Sequence, residues 1–124
     1  MKQIVHTELA PKAIGPYSQA VATDTMVFTS GQMGIDMQTS KLASGVEAQA
    51  KCAMQNLGEI LKTQGLGYQS ILKTTIFLAD MRDFSAVNAV YQSFFVGDYP
   101  ARSCVQVAAL PMGASVEIEC IAIR

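Results

Sequence analysis

Residues 46 to 65, VEAQAKCAMQNLGEILKTQG, carry apolar side chains at three- and four-residue steps: Val46, Ala50, Ala53, Met54, Leu57, Ile60 and Leu61. That spacing gathers them on one stripe of a helix, and a helix with a single apolar stripe needs a surface to bury it against. A second stripe, Phe84, Val87, Tyr91, Phe94 and Phe95, runs through FSAVNAVYQSFF. Between and around the two helices lie strand-like runs: QIVHT (3–7), SQAVA (18–22), MVFTSGQ (26–32), ILKTTIFLA (71–79), RSCVQVA (102–108) and SVEIECIAI (115–123). The order is β-β-β-α-β-α-β-β. Strands joined through helices need crossovers and flanking strands pair by short turns, so the spacing predicts an α+β fold: a mixed sheet with both helices on one face. Ser44 and Glu47 have capping-box spacing at the first helix, Gly65 suits its end, and Asp80 or Asp83 suits the start of the second. No repeat or linker divides the chain, so residues 1–124 are expected to form one domain.

Alternation then sorts the last two strands. Val105 and Val107 oppose Arg102, Cys104 and Gln106; Val116, Ile118, Cys120 and Ala122 oppose Glu117, Glu119, Ile121 and Ile123. Assigning the uniformly apolar sets to the helix side leaves Arg102 and Glu117 together on the uncovered face.

Composition suggests what covers that face. Half of the residues are hydrophobic and only 15% are charged, where a soluble domain carries about 25% charged residues. Burial of apolar surface against further copies of the chain is the expectation. A formal net charge of -1 and a pI near 5.7 offer no basic field for a phosphate backbone, so nucleic acid is disfavoured as a partner. No apolar run reaches the ~20 residues of a membrane span, and MKQIVHTELAPK lacks an apolar signal core, so a cytoplasmic protein is expected. Cys52, Cys104 and Cys120 are scattered and read as reduced thiols; a lone histidine, His6, rules out a His-rich metal site.

Several residues are candidates for chemistry. Arg102 heads an otherwise apolar strand; its planar fork suits a carboxylate, either of this chain or of a substrate, and the pattern leaves both open. Glu117 is a solvated outward residue unless burial and Glu119 raise its proton affinity into the range of a general acid or base. Cys104 is a small buried residue or, with His6, a nucleophile. Tyr17 follows a Gly15-Pro16 turn, and the glycines of TSGQMG (29–34) let backbone amides approach a ligand or mark a bulge.

Taken together, AIGPYSQ, FTSGQ, DFSAVNAVY, PARSCVQVA and VEIE resemble the reactive-intermediate deaminase family, the YjgF type, over essentially the whole chain. The resemblance implies a chorismate-mutase-like fold, a homotrimer with clefts between subunits, and hydrolysis of enamine and imine forms of 2-oxo acids, such as 2-aminoacrylate, to the 2-oxo acid and ammonia without a cofactor or metal. It implies that Arg102 clamps the substrate carboxylate, Glu117 activates water and Tyr17 closes the pocket, with Ser30, Gly31, Asn88 and the backbone at Cys104 lining it. A non-catalytic 2-oxo-acid-binding or regulatory module, and a ribonuclease-like activity, are the family's other possibilities. Two departures bear on substrate range: Met33-Gly34, where close relatives often carry Ile-Pro, loosens the loop beside the pocket, and Ala109 replaces a frequent arginine.

Overall fold

The computed structural model describes residues 1–124. The chain runs β1 (Gln3–Val5), β2 (Ala20–Ala22), β3 (Met26–Thr29), β4 (Gln32–Met33), β5 (Ile35–Asp36), β6 (Lys41–Leu42), α1 (Val46–Lys62), β7 (Ile71–Leu78), α2 (Phe84–Gln92), β8 (Ala101–Gln106) and β9 (Val116–Ile123). The main sheet has the order β1-β2-β3-β9-β7-β8, with β4 continuing β3 alongside β9. Only β7 and β8 pair in parallel, joined by the α2 crossover; every other pairing is antiparallel. The expected α+β architecture is therefore present. The sequence did not signal the β5–β6 hairpin, because two-residue strands carry no period.

α1 lies across β9 and against α2. Ala50, Ala53, Met54, Leu57, Ile60 and Leu61 are all fully buried, and the four larger side chains contribute about 1.5–3 kcal/mol each before entropy is charged against them. Its C-terminus closes as expected: Gly65 adopts φ 71°, Gly65 N donates to Lys62 O at 3.0 Å and Leu66 N to Leu61 O at 3.1 Å, the Schellman pattern that satisfies the last carbonyls. Its N-terminus differs from the capping-box expectation. The N-cap is Gly45 at φ 90°, with no side-chain cap, so Ser44 stands one residue too early. Gln49 instead ties the first turns of α1 to their neighbours, donating to Ala43 O at 3.1 Å and accepting from Ser115 N at 2.8 Å. Of the two capping candidates before α2, Asp80 caps the preceding 3-10 turn Met81–Asp83, accepting from Arg82 N, whereas Asp83, at the N-cap of α2 itself, makes no side-chain cap bond.

The other sheet face has no helix over it. Phe28 and Val105 (both 44% exposed) and Ile123 (42%) lie there beside the part-buried Phe77 and Ile121. No helix is long and apolar enough to cross a membrane.

Candidate active site

The sheet register corrects one expectation. Arg102 pairs with Thr74 and Cys104 with Ile76 across β7–β8; Thr74 and Ile76 are fully buried in the core beneath the helices. Arg102 and Cys104 thus point to the helix side, and it is Val105 that points to the open face. Glu117 pairs with Phe77 on that open face. Apolar character misassigned β8 because Val105 belongs to the apolar patch of a face that no helix covers.

Arg102 and Glu117 are consequently far apart within one chain. Two strand spacings and three residues along the sheet separate them, about 14 Å between backbones, with side chains on opposite faces. The candidate residues fall into two groups around these two poles.

The first group surrounds Arg102. Its Nη1 donates to Asn88 Oδ1 at 2.7 Å, and its Cζ lies 5.5 Å from the Phe84 ring centroid and 5.2 Å from that of Tyr91. The chain's ion pairs are His6–Glu8, Lys62–Glu59 and Arg82–Asp80. Arg102 has no carboxylate partner, which removes the ordinary ion-pair reading. With Nη1 held by Asn88, the Nε–Nη2 edge keeps two parallel donors for a carboxylate. Asn88, Tyr91, Gln92, Tyr99, Pro100 and Arg102 line a shallow hollow of about 340 Å³. β8 is the sheet edge, and since Val107 N bonds inward to Leu78 O, strand alternation turns the N–H and C=O of Cys104 outward to the open edge. Its side chain packs against the core, and burial pushes the thiol up, outweighing the pull of Arg102 downward. Such a thiol is a poor nucleophile. His6, beyond β1 at the opposite sheet edge, bonds Glu8 at 2.9 Å; no Cys104–His6 pair forms.

The second group surrounds Glu117. Between β3 and β4 the strand gains one residue relative to β9, a bulge that falls at Thr29–Gly31. Gly31 there lies directly under the Glu117 side chain: a Cβ at position 31 would sit 2.4 Å from Glu117 Oε1. Ser30 ties this bulge to the preceding loop, its Oγ donating to Ser18 O at 2.6 Å and its N to Gln19 O at 2.9 Å. Tyr17, 51% exposed, stands on that loop and shares a hollow of about 410 Å³ with Gly31, Ile14, Met33 and Met112. Burial first, then the charge of Glu119, raises the Glu117 carboxyl above its ordinary 4.5. This is the direction a general base near neutral pH needs.

Buried amides that an apolar-period reading passes over hold the second group in place. Gln19 is 2% exposed and bonds Thr7 N, Thr7 O, Ala10 O and Pro11 O, fixing the loop that carries Tyr17. Asn56 donates to Met33 O and Ile35 O. Gly34 is not a loosening element: its missing Cβ would lie 2.2 Å from Gln49 Cα, so β4–β5 is pressed onto α1. The polar signal for Gln49 and Asn56 was their i, i+7 spacing on α1. A larger hollow, about 510 Å³ between α1 and the β5–β6 hairpin, contains none of the candidate residues; the poles lie on shallower surfaces. No three His, Cys, Asp or Glu side chains gather as a metal-binding group.

Comparison with known proteins supplies the remaining context. The sequence model of the endoribonuclease L-PSP family matches residues 7–124. The 2-iminobutanoate/2-iminopropanoate deaminase of Mus musculus is 50% identical over 125 residues, which cover 100% of this chain and 93% of that protein. Reactive Intermediate Deaminase A, chloroplastic, of Arabidopsis thaliana is 52% identical over 122 residues, 98% of this chain and 65% of that protein. Among solved structures, E. coli TdcF with bound serine matches with a TM-score of 0.95 and 45% identity, covering 98% of both chains. The E. coli YjgF gene product matches with a TM-score of 0.95 and 43% identity, again covering 98% of both.

Proposed function

This chain belongs to the endoribonuclease L-PSP family, and from that membership together with the geometry of its two poles we infer the reaction it catalyses. It is a 2-iminobutanoate/2-iminopropanoate deaminase, converting reactive enamine and imine intermediates to 2-oxo acids and ammonia. The observation that carries the site assignment is an unneutralised guanidinium with a free fork, in a chain that also carries a half-buried carboxylate of raised proton affinity.

In a 2-imino acid the carboxylate carbon is bonded to the imine carbon. One chain cannot bring Arg102 and Glu117 to such neighbouring atoms across about 14 Å and two sheet faces. Two copies can. The site is therefore built between subunits: Arg102, Asn88 and the outward backbone of Cys104 come from one copy, Glu117, Gly31, Ser30 and Tyr17 from its neighbour. The uncovered face with Phe28, Phe77, Val105, Ile121 and Ile123 is the surface that association buries. A homotrimer with a chorismate-mutase-like arrangement closes such a heterologous contact into a ring. Each copy then contributes both halves of a cleft.

Arg102 grips the substrate carboxylate through Nε and Nη2. Glu117 takes a proton from water as its oxygen adds to the imine carbon and passes that proton to the nitrogen, giving a carbinolamine; the same carboxylate then takes the carbinolamine hydroxyl proton and hands it to the nitrogen as the C–N bond breaks, so ammonia leaves and the hydroxyl oxygen becomes the carbonyl of the 2-oxo acid. Atoms and charge balance without a redox partner. Because imines hydrolyse in water unaided, orientation and one acid-base group suffice. Tyr17 covers the bound molecule.

Supplying the protein with enamine made by a serine or threonine dehydratase tests this reading: formation of 2-oxo acid should accelerate over buffer alone. No acceleration across several such substrates overturns it, and saturable 2-oxo-acid binding without turnover would replace it by a binding module. A ribonuclease has little support at this site, since the chain's single histidine lies at the far edge of the sheet from Arg102.

A further inference from the structure

Phe84, Asn88 and Tyr91 stand at i, i+4 and i+7 on α2, a spacing that places them on one stripe of the helix. All three meet the Arg102 guanidinium: two rings with centroids 5.5 and 5.2 Å from Cζ, and the Asn88 carbonyl 2.7 Å from Nη1. Tyr91 is itself locked. It is 4% exposed, and its hydroxyl shares a 2.7 Å hydrogen bond with Thr74 Oγ1. Thr74, fully buried, is the residue paired with Arg102 across the parallel β7–β8 ladder. A closed circuit results, from the Arg102 backbone to Thr74, from Thr74 to the Tyr91 hydroxyl, and from the Tyr91 ring back to the guanidinium.

We propose that Phe84, Tyr91 and Thr74 are positioning residues that hold the Arg102 guanidinium so that its Nε–Nη2 edge faces the substrate carboxylate. The proposal rests on the reading of Arg102 as the carboxylate anchor. The chemistry of the partners fits the task. A carboxylate beside Arg102 would neutralise it and compete with substrate, whereas aromatic faces attract the guanidinium through their quadrupoles and leave its N–H donors unspent. The Tyr91 hydroxyl is committed to Thr74 and so cannot act as a rival ligand. Confining a long, rotamer-rich side chain during folding removes that entropy cost from substrate binding. Without the clamp, the fork would have to be ordered anew in each encounter. The stripe also explains why Phe84 is still 37% exposed although α2 is otherwise anchored by Val87 and Tyr91: it flanks the arginine rather than filling the core.

Because Phe84 lies outside the fully buried core, Phe84→Leu is the primary variant and Phe84→Tyr the rescue. A double variant, Tyr91→Phe with Thr74→Val, removes the tether without leaving a buried hydroxyl unpaired. Each is measured for 2-oxobutanoate affinity by calorimetry, for kcat/KM on the imine, and for melting temperature, in the wild-type and in the Arg102→Lys background. Phe84→Leu should weaken both affinity and kcat/KM by about threefold to tenfold at an unchanged melting temperature, the scale of a lost ring–cation contact. Phe84→Tyr should recover the wild-type values. In the Arg102→Lys background the effect of Phe84→Leu should shrink below about twofold, because a residue acting through the fork has nothing left to orient. The tether variant should show the same dependence on Arg102. Equal losses in both backgrounds, or no loss in Phe84→Leu, overturn the clamp while leaving the deaminase intact. A wild-type protein that hydrolyses imine but binds no 2-oxobutanoate, and whose Arg102→Lys variant is fully active, overturns the anchor and the clamp with it. Absence of any imine hydrolysis removes the functional reading instead.

Discussion

Gly31→Ala isolates the position of the Glu117 carboxylate from everything else in the molecule. Position 31 has no positive φ, so alanine introduces no backbone strain. The new Cβ would meet Oε1 at 2.4 Å, Cδ at 2.8 Å and Cγ at 3.0 Å of Glu117, against an ordinary contact limit of 3.4 Å. The carboxylate oxygen must therefore retreat by about 1 Å, and misplacing a reacting group by that distance costs up to about a hundredfold. We expect kcat/KM for the imine to fall about tenfold to a hundredfold, equivalent to about 1.4–2.7 kcal/mol of transition-state stabilisation. The moving atoms are the end of a flexible side chain, so melting temperature should change little. Gly34→Ala is the contrasting control. There the clash is with the Gln49 backbone, at 2.2 Å from Cα and 2.3 Å from O, and a packed helix cannot step aside; stability should drop by about 1–3 kcal/mol or more. Dehydratase-coupled kinetics and thermal melts on both variants decide the matter. A Gly31→Ala protein within about twofold of wild type, or one whose activity falls only in proportion to unfolding, refutes the placement of Glu117 as the water-activating group.

Arg102→Lys keeps the charge but loses the fork, and kcat/KM should fall at least about tenfold, or 1.4 kcal/mol, in a folded protein; activity near wild type would contradict bidentate anchoring. Glu117→Gln should lose about a hundredfold or more in kcat. The raised carboxyl makes ionisation costly to the native state above 4.5, so this variant should melt no lower than wild type at pH 7 and the difference should vanish as pH falls below 4.5. In the wild type, kcat/KM should decline on the acid side with an apparent pKa above 4.5, since water activation needs the deprotonated form. Cys104→Ala should stay within about threefold of wild-type kcat/KM, because its thiol is held protonated and only its backbone faces the edge; abolished activity in a folded variant would restore the nucleophile reading.

Elements with a long period were legible: the α1 stripe from Val46 to Leu61, the crossover through α2, and the alternating β9 all fold as their spacing dictates. The faces of β8 were not. Alternation identifies a buried face only when the other face meets water, and Val105 belongs to the apolar patch of the uncovered face. The setting of Arg102 was hidden for a related reason. Phe84 and Tyr91 read as helix core from their spacing, and nothing local says that an arginine two strands' breadth from Glu117 will be threaded between them. Glycine roles were equally out of reach. Gly31 and Gly34 look alike in TSGQMG, but one makes room for Glu117 and the other for the backbone of Gln49. Motif agreement nominated Arg102 and Glu117 as candidates; only the register separated them onto two faces.

The shared cleft is tested most directly by mixing subunits. Arg102→Ala and Glu117→Gln proteins, each inactive alone, are co-expressed with different tags and the mixed assemblies purified through both. If every cleft takes Arg102 from one copy and Glu117 from its neighbour, a ring of three that holds both kinds of subunit keeps about one cleft in three intact, and activity should return to about that fraction of wild type. Mixed assemblies that remain as inactive as the two parents would contradict the account, since both residues would then have to act from the same chain.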